Sequence, residues 1–171
     1  MNPKPRIVLT GFMGVGKSTV AKCLGYILRA EKLDLDRFIE ANEARSIAEI
    51  IETEGEARFR EIESENLRKI LEETDAQIIA LGGGAWIFPR NRELIQSYNC
   101  TTVWLESTFE HCWRNISISK YKRPLVKNKQ LAKNLFVERQ KFYCLADWHF
   151  VVEPQLTSYD IAKRIAEEVF G

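Results

Sequence analysis

Short apolar runs, intervening helical stretches and a length of 171 residues together predict an α/β fold of three layers, a five-stranded parallel sheet between helices. The runs lack the polar alternation of a half-exposed strand, so both faces of the sheet should be covered. The length suits one compact domain with a sizeable core and leaves little room for a second.

Ile7, Val8 and Leu9 form the first strand candidate, which ends at a glycine loop. From Lys17 to Leu28, apolar residues recur at helical spacing at Val20, Leu24, Ile27 and Leu28. A second strand is expected through Leu33–Leu35, followed by charge-rich helical stretches at 38–44, 46–54 and 57–74. Ile78–Leu81 reads as a third strand stopped by three glycines, and Thr101–Leu105 and Phe150–Val152 as a fourth and fifth. Capping patterns start helices at Ser46 with Glu49, Ser107 with Glu110 and Thr157 with Asp160. The last helix buries Ile161, Ile165 and Val169, while the polar, basic segment 117–129 reads as a mobile loop.

Twenty-five lysines and arginines balance 24 aspartates and glutamates, which argues against nucleic acid or an acidic membrane as partner. Anion binding must be local. The four cysteines are far apart, without metal-ligand or disulfide spacing, and fit reduced thiols in a cytoplasmic protein. No apolar stretch approaches the roughly 18 residues that span a bilayer, and no signal peptide is visible. A monomer is the default expectation.

Gly11-Phe12-Met13-Gly14-Val15-Gly16-Lys17-Ser18 fits G-x-x-x-x-G-K-[ST] between a strand and an amphipathic helix, the setting in which this pattern binds nucleotide phosphates. Backbone amides from Gly11, Met13, Gly14, Val15, Gly16 and Thr19 are positioned to converge on phosphate oxygens at the helix N-terminus. Lys17 would reach the β- and γ-phosphates, and the Ser18 hydroxyl would ligate Mg²⁺ brought with ATP. The loop alone does not say where the phosphate goes.

Asp34 and Asp36 alternate near the end of the second strand, at the sheet edge where open α/β folds bind ligands. One carboxylate can hold water on Mg²⁺ while the other accepts a hydrogen bond from a substrate hydroxyl; the competing reading makes Asp36 a helix cap. Arg60 and Glu63 are three apart on a helix, so the glutamate can fix a guanidinium fork suited to a carboxylate ligand. Gly82, Gly83 and Gly84 allow close approach of backbone to a ligand, and Arg123 and Arg139 supply further cations.

The P-loop with Asp34-Leu35-Asp36, Phe59-Arg60-Glu61-Ile62-Glu63, Gly82-Gly83-Gly84-Ala85, Arg123-Pro124-Leu125 and Arg139 resembles the shikimate kinase family in both residues and order, from about Ile7 to about Pro154. The resemblance implies a P-loop kinase fold in a single domain, 1–171, with a substrate-binding helical region at about 36–63 and a mobile lid at about 116–129. It implies transfer of the ATP γ-phosphate to the 3-hydroxyl of shikimate, with Lys17, Asp36 and Arg123 catalytic. Asp36 would hold the acceptor hydroxyl and Asp34 would act through Mg²⁺-bound water. Arg60 and Arg139 would clamp the carboxylate, Glu63 would orient Arg60, and Gly82, Gly83 and Gly84 would line the acceptor site. Arg123 would close with the lid, and Arg114 and Pro154 would hold adenine.

The chain departs from the family pattern at Ala44, where glycine is common, and at Lys141, where proline is common. The stretch between Arg123 and Arg139 also looks short. Trp86 could wall the acceptor pocket, although core packing is its simpler reading. Two rival functions are a gluconate-type kinase, which would not need the paired arginines, and an ATP-dependent binding module that transfers no phosphate.

Overall fold

The structure, a computed structural model, describes residues 5–121, 123 and 126–171. The apolar run Ile7–Thr10 forms β1, buried along its whole length. β2 spans Lys32–Asp34, β3 Ile78–Ala80, β4 Thr101–Glu106 and β5 Trp148–Val151. These five strands make a parallel sheet in the order β2-β3-β1-β4-β5, with Val8 in register with Ile79 on one side and Thr102 on the other. The chain runs outward from β1 in one direction and later in the other. The carboxyl end of β1 is therefore a switch point, where a crevice opens.

Helices α1 (Lys17–Leu28), α2 (Leu35–Glu43), α3 (Ile47–Glu73), α4 (Pro89–Ser97), α5 (Phe109–Ile118), α6 (Lys129–Tyr143) and α7 (Ser158–Phe170) follow or connect the strands. α1 packs against α7 and the β2–β3 side of the sheet. The expected three-layer α/β architecture is present. The two stretches expected within 46–74 form one long α3 interrupted at Gly55, whose φ of 87° leaves the helical region.

Three local expectations are corrected. Thr108, not Ser107, caps α5 by accepting from the His111 amide at 3.2 Å, and Ser107 instead donates to the Val152 carbonyl. The second strand ends at Asp34, which caps α2 by accepting from the Arg37 amide. Asp36 is thereby placed in the first helical turn, with its carboxylate free of capping. Residues 85–97, unassigned from sequence, form a 3₁₀ turn at Ala85–Ile87 followed by α4, with Pro89 at its first position.

Candidate active site

α1 begins without a side-chain cap and without an acidic residue in its first turn. Its first amides are left for an anion. Gly14 has φ 81°, and a Cβ there would stand 2.5 Å from the Cys112 carbonyl oxygen, so the loop needs glycine both for its turn and for its contact with α5. From α5, Asn115 Nδ2 donates to the Gly14 carbonyl at 2.7 Å. Lys17 curls over the loop, with Nζ donating to the Gly11 and Phe12 carbonyls at 2.6 and 3.1 Å. Burial lowers its pKa to about 8 against the pull of Asp36 and Asp34. Triphosphate oxygens would replace those carbonyls and restore the charge.

Ser18 Oγ donates to Asp34 Oδ2, while Asp34 Oδ1 accepts from the Arg37 amide. The strand end and the P-loop helix are thus joined through one carboxylate. Asp36 lies beside Gly82, and its pKa is raised to about 7 by burial first, then by Glu63 and Asp34, with Lys17 and Arg60 opposing. Such a carboxyl can exchange a proton near neutrality.

Arg60 donates through Nη1 to both Glu63 oxygens, at 2.9 and 3.1 Å, and both side chains are buried. Phe59 and Phe88 lie within 5.1 and 5.2 Å of its guanidinium carbon and hold the fork sideways. Arg139 is also buried, and its Nε and Nη1, like Arg60 Nε, have no hydrogen-bond partner among the described residues. A buried guanidinium with unused donors is costly unless an anion meets it. Arg60 is paired with Glu63 and, at 3.5 Å, with the exposed Glu56, whereas Arg139 makes no ion pair among the described residues.

The glycine triplet explains how these groups fit together. A Cβ would stand 2.6 Å from Asp36 Oδ1 at Gly82, 3.3 Å from Arg139 Nη1 at Gly83 and 2.5 Å from Arg60 Nη2 at Gly84. Each glycine clears space for one charged side chain. The sequence suggested close approach of a ligand; the structure adds that the protein's own charged side chains already need that room.

One cleft of about 590 Å³ is lined by the P-loop, Asp34, Asp36, Arg60, Glu63, Gly82–Gly84, Arg123 and Arg139. Arg123 lies 5.6 Å over the Tyr121 ring, and its guanidinium feels Asp36. Its neighbours Pro124 and Leu125, named in the lid motif, lie outside the described residues. Arg114 and Pro154 are exposed and do not line the cleft; His111, Asn115, Val152, Leu156, Ser158 and Ile161 wall that end. Trp86 is 1% exposed and donates to the Phe142 carbonyl at 2.9 Å, so it packs in the core and does not wall the acceptor pocket. Tyr121 and Asn115 are cleft residues that the sequence did not single out.

The model of one family, described as shikimate kinase, matches residues 13–170. The chain belongs to the shikimate kinase family. It is 40% identical to the shikimate kinase of Streptococcus thermophilus across 92% of this chain and 96% of that one. Identity to the shikimate kinase of Azobacteroides pseudotrichonymphae is 34%, across 96% and 99%. The solved shikimate kinase of Acinetobacter baumannii in complex with shikimate superposes with a TM-score of 0.89, at 30% identity over 97% of this chain and 93% of that chain. Family membership makes the chain an ATP-dependent kinase, and the P-loop, the two acidic residues and the paired arginines of the family pattern all meet in the same cleft.

Proposed function

We propose that the chain transfers the γ-phosphate of ATP to the 3-hydroxyl of shikimate, giving shikimate 3-phosphate in aromatic amino acid biosynthesis. The observation that carries this reading is the pair of buried arginines with donors unused among the described residues, in the cleft that also holds Asp36 and Lys17. Arg60 and Arg139 grip the carboxylate, with Glu63 holding Arg60 in register. Asp36 orients the acceptor hydroxyl and takes its proton. Lys17, Arg123 and the amides of the P-loop stabilise charge as the phosphoryl group moves, and positioning does most of the work in such a transfer.

Mg²⁺ fits the Ser18 hydroxyl and the Asp34 carboxylate, two hard oxygen donors already in contact at the head of α1. Among the described residues no cluster of three or more acidic, histidine or cysteine side chains could hold a metal, which suits an ion bound mainly through phosphates and water. Bound there, it would neutralise phosphate charge. Gly11 to Thr19 cradle the phosphates with Arg123 in the same cleft, and Arg114 and Pro154, exposed outside its lining, are left to meet the adenine. All four cysteines are free thiols, which supports a cytoplasmic setting, and balanced charge offers nothing to a polyanionic partner, which suits a protein acting on two small substrates.

ADP release measured by a coupled assay with shikimate, gluconate and nucleoside monophosphates tests the assignment. ATP consumption should depend on shikimate; activity with gluconate alone would overturn it.

A further inference from the structure

Tyr143, at the end of α6, is 0% exposed, yet its hydroxyl is not idle: it donates to the Gly83 carbonyl at 2.5 Å. It follows Arg139 by one helical turn, and Arg139 opposes the burial that pushes the phenol up to about 12. Gly83 is tightly bounded. A Cβ on it would lie 3.2 Å from the Met13 amide of the P-loop and 3.3 Å from Arg139 Nη1, so its peptide separates the two halves of the cleft. A second tether joins the same segments, because the Trp86 indole donates to the Phe142 carbonyl at 2.9 Å. Arg92 supports it by donating to the Trp86 and Ile87 carbonyls and lying 5.7 Å over the Phe142 ring.

We infer that Tyr143 is a positioning residue for the acceptor: its hydroxyl, seconded by Trp86, fastens the glycine loop to the helix that carries Arg139, and so sets where the acceptor carboxylate is gripped relative to the P-loop. Tyr143 does not touch the reacting atoms. Without its hydroxyl the Gly83 carbonyl loses its donor, the peptide is free to rotate, and the space that holds Arg139 is no longer defined. The P-loop keeps its own brace, Asn115 on the Gly14 carbonyl, a bond in which Tyr143 takes no part.

This inference rests on the shikimate kinase reading, and its test separates the two. Tyr143→Phe keeps the ring and removes one hydroxyl, so the KM for shikimate should rise about tenfold while the KM for ATP stays within about twofold. With shikimate methyl ester, which cannot offer Arg139 a charged carboxylate, wild type and Y143F should show equal KM values. An unchanged shikimate KM, a parallel rise in both KM values, or an equal penalty on the ester would overturn the inference. Should Y143F fail to fold, Trp86→Phe cuts the second tether and is read by the same split. Wild-type enzyme inactive on shikimate would instead refute the functional assignment.

Discussion

Gly84 and Ala44 show how differently a missing or present Cβ matters at two positions. At Gly84 a methyl group would occupy the space of the Arg60 guanidinium, so glycine serves the site through clearance. The triplet was legible in the sequence as part of the site, but its reason was not, because the side chains it clears come from α2, α3 and α6. Ala44 ends α2 with φ 54°, a left-handed conformation that an L side chain resists. The sequence marked this position as a departure from a family glycine, and the backbone gives the departure a cost. Ala44→Gly should stabilise the protein by about 1 kcal/mol, seen as a rise of about 3 °C in thermal midpoint with activity unchanged. A fall in the midpoint would contradict that account.

Helix starts divide into those closed by side chains and two, α1 and the proline-led α4, that have no side-chain cap. α7 has a full capping box: Thr157 Oγ1 accepts from the Asp160 amide at 3.1 Å, and Asp160 accepts from the Thr157 amide at 2.9 Å. Those bonds hold the Asp160 pKa below its usual 3.8. A depressed carboxylate contributes stability above the unfolded pKa and loses it as pH falls through the lower folded value. Asp160→Asn should therefore lower the thermal midpoint at neutral pH, and the gap to wild type should close as pH drops below 3.8. A gap that stays constant would exclude the ionised capping box. α1 has no side-chain cap, and its open start was legible from the P-loop pattern, which keeps the first amides for phosphate. The cap of α5 was misread by one residue since Ser107 and Thr108 both carry hydroxyls, and only backbone geometry chooses between them. The α4 region was missed because its nine residues bury only Asn91, Leu94 and Ile95, too few for a clear helical period.

For the whole molecule, strand number and the parallel sheet followed from apolar runs, clearest at the buried β1, β3 and β4 and least so at the edge strands β2 and β5, which are largely exposed or half-buried. The cleft was legible as a set of motifs but not as an arrangement. Asn115 bracing Gly14, Tyr143 bracing Gly83 and the unused donors of Arg60 and Arg139 depend on contacts between segments as much as 101 residues apart. One end of the cleft holds the P-loop and Lys17, and the other holds two buried arginines of which Arg139 makes no ion pair among the described residues. Comparing kcat/KM for shikimate and shikimate methyl ester with the wild-type enzyme at saturating ATP tests that division most directly. Masking the charge removes charge-assisted bonds to two buried guanidiniums, so kcat/KM should fall by at least about 100-fold. An ester phosphorylated as well as shikimate would show that Arg60 and Arg139 do not clamp the acceptor.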